Sequence, residues 1–255
     1  ILEHSSGIRE EHKKLKKGFV MGITEISIWK KLLRKSNMRY ALIRSQDISN
    51  GPGFRVSIFV QGCTRHCPNC FNKETWDENG GYEWNSKKEK ILLDLCDNKH
   101  IEGLSILGGE PLLHFEKGRG NEYKDMIHLV KAFKERFPEK TIWVWSGYRW
   151  DDIITRPSRM RVKYVRKFLS YIDVLVDGPY KERFSFPGLK YMGSSNQRLI
   201  DVQKSLASFN ECRKKGNENK YKVFELPPSG PIYNGPVKRD FIATQNKIYN
   251  NQKGV

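Results

Sequence analysis

Three of the five cysteines of this 255-residue chain fall within one short run, Gly62-Cys63-Thr64-Arg65-His66-Cys67-Pro68-Asn69-Cys70-Phe71-Asn72. A loop with this spacing can wrap three sulfurs about one compact centre, which a stiff strand cannot. Two metal chemistries take such a set. Four-iron clusters are normally held by four thiolates. Three from the protein would leave one iron open to a chelating substrate, whose reactive bond then sits beside an electron source. A structural zinc of Cys3His type is the alternative, with His66 or another histidine as the fourth ligand. Structural zinc usually closes its shell with two separated ligand pairs. Here there is one tight triplet, and His66 lies between two of the ligands, so iron is the favoured reading.

The elements around this loop alternate. Phe54–Val60 reads as a strand that delivers the chain to the cysteines. Lys87–Asp97 reads as a helix with Ile91, Leu92 and Leu95 on one face, and Leu104–Leu107 as a short strand. Tyr123–Phe137 is a helix whose apolar stripe runs through Ile127, Val130, Phe133 and Phe137. Thr141–Ser146 is a strand, Val162–Leu169 a helix and Ile172–Asp177 an apolar strand. This alternation predicts an α/β fold of parallel strands joined by crossover helices. Ligand sites in such folds lie outside the carboxyl ends of the strands. Gln61-Gly62-Cys63, Gly108-Gly109-Glu110, Ser146-Gly147 and Asp177-Gly178 all fall at those ends, which predicts one convergent site.

Cys63-x3-Cys67-x2-Cys70 resembles the radical S-adenosylmethionine signature, and Gly108-Gly109-Glu110-Pro111 is similar to that family's GGEP segment. The wider frame narrows the resemblance. Asn50-Gly51-Pro52-Gly53, Cys70-Phe71-Asn72 with Thr75-Trp76, Trp143-Val144-Trp145-Ser146-Gly147-Tyr148, Asp177-Gly178 and Gly193-Ser194-Ser195-Asn196-Gln197-Arg198 recur in that order in the activating enzymes of anaerobic ribonucleoside-triphosphate reductase. The resemblance spans roughly Met38 to Val202. It implies a partial (βα) barrel, a [4Fe-4S] cluster on Cys63, Cys67 and Cys70, and S-adenosylmethionine as cofactor. It also implies a 5′-deoxyadenosyl radical that takes hydrogen from a glycine of the reductase, fed by a low-potential electron donor such as flavodoxin.

The same resemblance assigns roles. Gly108, Gly109 and Glu110 match the segment that receives the methionine amino group, where missing side chains allow close backbone approach. Asn69, Cys70 and Phe71 match the stretch beside the adenine. The broad superfamily often has an aromatic residue just before the third cysteine; here Asn69 holds that place and Phe71 follows. Ser146 and Asp177 are pocket candidates from strand-end position alone. An activase of another glycyl-radical enzyme is the nearest alternative.

The formal net charge of +17 favours acidic partners. Residues 1–37 carry nine basic and four acidic side chains and residues 203–255 ten and four, so the excess sits at the ends. That distribution disfavours nucleic-acid binding, and with it a zinc-dependent nucleic-acid module. The expected organisation is an extension over 1–37 with a short helix near Ile26–Leu33, a catalytic body over 38–206 and an appendage over 207–255. An odd number of cysteines fits a reducing cytoplasm, and no apolar run reaches the roughly 18 residues of a membrane helix. Of the other residues, Cys96 reads as a small core hydrophobe, Cys212 as an uninvolved tail thiol and His114 as a surface-loop histidine. At least one of Trp143 and Trp145 is expected in the core.

Overall fold

A computed structural model describes residues 36–227, so the extension and the helix expected near Ile26–Leu33 lie outside the described residues. The first strand, β1 (Arg39–Asp47), was not foreseen, because Arg, Ser and Gln interrupt its apolar residues. It forms by antiparallel pairing with β2 (Phe54–Val60), with two shifts of register. β2 has the expected bounds and is buried from Arg55 to Val60. β3 (Tyr82–Glu83) pairs with the outer side of β1. Then come α1 (Ser86–Cys96), β4 (Ile101–Gly108), α2 (Glu122–Arg136), β5 (Thr141–Trp145), α3 (Trp150–Thr155), α4 (Val162–Leu169), β6 (Val174–Asp177), β7 (Arg198–Asp201) and α5 (Val202–Lys214).

The seven strands form one sheet in the order β3-β1-β2-β4-β5-β6-β7. β2, β4, β5 and β6 run parallel, joined by helical crossovers, while β7 turns back antiparallel to β6. The expected α/β class is therefore what forms, an open sheet consistent with a partial barrel. The far edge of β7 is covered by residues 224–226, where Phe224 and Leu226 exchange backbone hydrogen bonds with Asp201 and Leu199. Four parallel strands consequently end at one rim of the sheet, and the chain leaves each of them through a site candidate.

Most of the apolar core lies under the helices, on one face of the sheet. α2 buries Ile127, Val130 and Phe133, with Phe137 just beyond its end, as the stripe predicts. α1 differs from expectation: it buries Glu89, Leu92 and Cys96, which follow a helical repeat, and Ile91 is left exposed. Trp143 joins Val174, Val176 and Leu199 in a second cluster with Trp145 and Tyr191 against it. Strand alternation puts both tryptophans on one face, with Trp143 fully buried.

The expected boundary after Leu206 falls inside α5. This helix is capped by the Asp201 carboxylate accepting from Lys204 N and buries Phe209 beyond that point. Phe209 meets the Tyr221 ring edge-on at 5.1 Å and lies under the Arg166 guanidinium at 4.8 Å. Phe209→Ala is expected to destabilise the chain by about 3–5 kcal/mol. Urea unfolding checks this; a loss below about 1 kcal/mol would detach residues 207–226 from the cooperative body.

His114 is the clearest departure among single residues. It lies in a buried 3-10 turn (Pro111–Phe115), not on a surface loop, and its Nε2 has no hydrogen-bond partner. Burial first, with Arg119 adding to it, pulls its pKa down to about 4. The unfolded chain takes up this proton near pH 6.5, whereas the folded one resists until about pH 4. Stability contributed by neutral His114 is thus full above about pH 6.5 and lost progressively as pH falls toward 4. Relative to a His114→Gln variant, the wild-type chain should lose about 2–3 kcal/mol more between pH 7.5 and 4.5, measured by urea unfolding. Parallel pH profiles for the two proteins would contradict it.

Candidate cluster and cofactor site

The chain leaves β2 through Gly62 and enters the cysteine loop, which backbone hydrogen bonds tie down at its root. Gly62 N donates to Thr75 O at 2.8 Å and Cys63 N to Trp76 O at 3.2 Å. His66 and Asn69 adopt left-handed backbone, φ 44° and 51°, and these two reversals curl the loop between its cysteines. The His66 ring packs against Trp76 at a tilt of 49°, centroids 4.6 Å apart.

The end of β4 packs directly on this loop. Gly109 N donates to Val60 O and Glu110 N to Gly62 O, both at 2.8 Å. A Cβ at Gly109 would stand 2.4 Å from Gly62 O and one at Gly108, where φ is +105°, 2.6 Å from Phe59 Cα. Both obstacles are backbone, so only glycine lets the two strand ends approach this closely.

Glu110 is the polar hub. Its carboxylate is buried and accepts from Ser146 Oγ at 2.7 Å, Gly147 N at 2.7 Å, Leu112 N at 3.1 Å and Arg65 Nε at 3.1 Å. Burial pushes the carboxyl pKa up, against the pull of Arg65, Ser146 and the two amides. All four partners donate, and Ser146 Oγ itself accepts from Tyr148 N, so the set satisfies the ionised form. Arg65, lying between two of the cysteines in sequence, covers the Tyr148 ring at 4.3 Å. It passes so close to Gly147 that a Cβ there would meet Arg65 Nε at 2.3 Å.

These groups surround a cavity of about 330 Å³, lined among others by Cys63, Cys67, Cys70, Gly108, Gly109, Glu110 and Ser146. The size falls within the usual range of small-molecule pockets, roughly 300–1,000 Å³. Three predicted residues stay outside its lining. Asn69 bonds through its side-chain amide to Glu182, Phe71 is 94% exposed, and Asp177 is wholly buried elsewhere. Asp177 accepts from Trp150 N at the start of α3 and from Arg198 at 2.9 and 2.5 Å, so both its oxygens are spent on structure. Gly147, expected at the same strand end as Ser146, lines the cavity; so do Arg65, Trp145, Tyr191 and Gln197, to which the sequence assigned no site role of their own. Arg65 was open to discovery as the one cation between the ligands; Tyr191 and Gln197 come from the long connection into β7, which carries no periodic signal.

The three thiols are free and half-buried. Burial raises the Cys63 and Cys67 pKa values, and neighbouring thiols and Glu110 add to the effect. Three free thiols lining one cavity fit a four-iron cluster in which each thiolate takes a different iron. His66, between two of them in sequence, packs its ring against Trp76. Cys96 is buried in α1, with its thiol pushed by burial up to about 12, and Cys212 lies on α5; neither lines the cavity.

Residues 49–200 match the family model of a 4Fe-4S single cluster domain. Over 162 residues the chain is 40% identical to the anaerobic ribonucleoside-triphosphate reductase-activating protein of Salmonella typhi, covering 63% of this chain and 96% of that one. It is 37% identical over 162 residues to the proteins of the same name from Enterobacteria phage T4, of which it covers 93%, and Escherichia coli K12, of which it covers 96%. A cysteine loop stitched to a glycine-rich strand end, within a matched stretch that spans most of each relative, places this chain in the family of 4Fe-4S anaerobic ribonucleoside-triphosphate reductase-activating proteins.

Proposed function

We propose that the chain holds a [4Fe-4S] cluster on Cys63, Cys67 and Cys70, cleaves S-adenosylmethionine there, and installs the glycyl radical of anaerobic ribonucleoside-triphosphate reductase. The observation that carries this reading is the meeting of three thiols and the Gly108-Gly109-Glu110 strand end around one cavity. When bound, the cluster supplies the electron that splits the sulfonium into methionine and a 5′-deoxyadenosyl radical, which abstracts hydrogen from the reductase glycine.

The chain's own residues bind and orient. Gly108 and Gly109 leave backbone uncovered beside the cysteines, where a cationic amine can be received by carbonyl oxygens. The Glu110 carboxylate, already engaged by four donors, acts through position: it fixes the Ser146-Gly147 turn and, through Arg65, the cysteine loop. A low-potential donor such as flavodoxin supplies the electron, and a reducing cytoplasm keeps the thiols free. Among the described residues no helix is long and apolar enough to cross a membrane. The catalytic body is the unit of residues 38–206 continued through α5.

The test mixes the reduced, cluster-loaded chain with S-adenosylmethionine and the reductase, then reads electron paramagnetic resonance. A glycyl doublet on the reductase is expected. A doublet on pyruvate formate-lyase with none on the reductase would move the partner and leave the radical chemistry standing. A colourless zinc protein would end the reading.

A further inference from the structure

We propose that Phe71, Phe184 and Phe186 form a docking rim for the glycine-bearing segment of the reductase. This inference rests on the function proposed above and adds the surface that recognises the partner. Single exposed apolar side chains are ordinary. What singles these out is their grouping. Four phenylalanines are exposed among the described residues, and three of them stand on the two loops at the cavity mouth.

Phe71 is 94% exposed and lies between Cys70 and Asn72, both of which line the cavity. Phe184 and Phe186 are 38% and 55% exposed. They belong to an uninterrupted exposed run, residues 181–188, which is rooted in the cavity wall at Tyr180 before it and Leu189 after it. The two loops are joined by the hydrogen bond from the Asn69 amide to the Glu182 carboxylate. Along the chain Phe71 and Phe184 each lie two residues from that junction and Phe186 four, which sets the three residues around it.

The rings are held out by ordered backbone. Ser195 N donates to Phe184 O at 2.9 Å, Lys181 N to Ser194 Oγ at 3.1 Å, and Phe184 N to Lys181 O at 2.9 Å. A loop fixed in this way keeps Phe186 more than half exposed and Phe184 partly so, with the Arg183 guanidinium over its ring at 4.7 Å, and a partner can cover what both leave open. Geometry chooses that partner. Hydrogen transfer needs the glycine carbon within about 3–3.5 Å of the radical carbon, so the residues flanking the glycine must rest on the rim. An electron donor needs no such insertion. A second copy of this chain seated there would close the cavity it has to leave open.

Affinity for the reductase and cleavage of S-adenosylmethionine are measured on the cluster-loaded full chain. The Phe184→Ser/Phe186→Ser variant should cleave S-adenosylmethionine at the wild-type rate without reductase. Its half-saturating reductase concentration for radical formation should rise at least tenfold. Phe71→Ser should weaken direct reductase binding, read by fluorescence anisotropy without S-adenosylmethionine, to a similar extent. Phe54→Ser, at the fourth exposed phenylalanine, should change neither quantity. Wild-type affinity in the rim variants overturns the proposal, as does a changed oligomeric state with unchanged affinity. Loss of cofactor cleavage in the Phe184/Phe186 variant also overturns it. A wild-type chain that cleaves the cofactor but binds no reductase removes both the rim and the partner, while one that binds the reductase without cleaving the cofactor leaves the rim standing and refutes the proposed chemistry.

Discussion

Replacing Cys63, Cys67 or Cys70 by alanine, one at a time, is expected to abolish stable cluster binding, whereas Cys96→Ala and Cys212→Ala retain full iron and sulfide. Each of the three thiols lines the cavity, and none has a spare neighbour to replace it. Cys96 is sealed in the core and Cys212 lies on a helix remote from the cavity lining. The variants should fail in ligation, not in folding. The loop is fastened at its root by Gly62, Thr75, Cys63 and Trp76 through backbone atoms, and loss of a thiol leaves those bonds in place; only Cys70 adds a thiol contact, accepting from Asn72 N at 3.4 Å. Metal-free Cys63→Ala and Cys67→Ala should therefore unfold at the wild-type urea concentration and Cys70→Ala close to it, while iron, sulfide and visible absorption separate all three from wild type. Full cluster content in any triad variant would remove that cysteine from the ligand set.

The site was legible in outline because its position depends on topology and its ligands on composition. Once strands and helices alternate, the strands run parallel and their carboxyl ends gather at one rim. Cys63, Gly109 and Ser146 could be brought together from that argument alone. β2 and α4 were legible to the residue, since an unbroken buried run and a strong four-residue apolar pattern each mark their own limits. β1 was not, because its burial is supplied by pairing with β2 and its residues do not alternate cleanly. α3, with six residues, is too short to establish a period.

Strand-end position also could not tell a carboxylate that lines the cavity from one turned away from it. Asp177 ends β6 and Glu110 follows β4, yet Asp177 turns to Arg198 and α3 while Glu110 lines the cavity. The difference lies in Arg198, a partner 21 residues further on that only the folded chain brings near. His114 fails for a similar reason. Its neighbours Pro111, Leu112, Leu113 and Phe115 are all buried, and a short apolar stretch after a glycine pair reads equally well as a loop or as a turn tucked under the sheet.

Glu110→Gln should destabilise the metal-free chain and weaken its hold on S-adenosylmethionine together, and Arg65→Ala should reproduce part of both effects. The carboxylate is surrounded by four donors in a nearly dry site, and an amide in its place turns an N–H group toward at least one of them. Breaking a buried, hydrogen-bonded charge pair from one side typically costs about 3–5 kcal/mol. Arg65 is about one quarter exposed, which reduces its share, so Arg65→Ala should cost less than Glu110→Gln. The two changes remove one interaction, and the double variant should be less damaged than their sum by roughly 0.5–3 kcal/mol in a mutant cycle. Urea unfolding of the metal-free proteins gives the stabilities, and the cofactor concentration at half-maximal cleavage gives the binding. If Glu110 instead touched the cofactor directly, Glu110→Gln would raise that concentration with no loss of metal-free stability, and Arg65→Ala would leave cofactor binding unchanged. That pattern would return Glu110 to the ligands of S-adenosylmethionine; the coupled loss fixes it as the residue that holds the cysteine loop against the glycine-rich strand end.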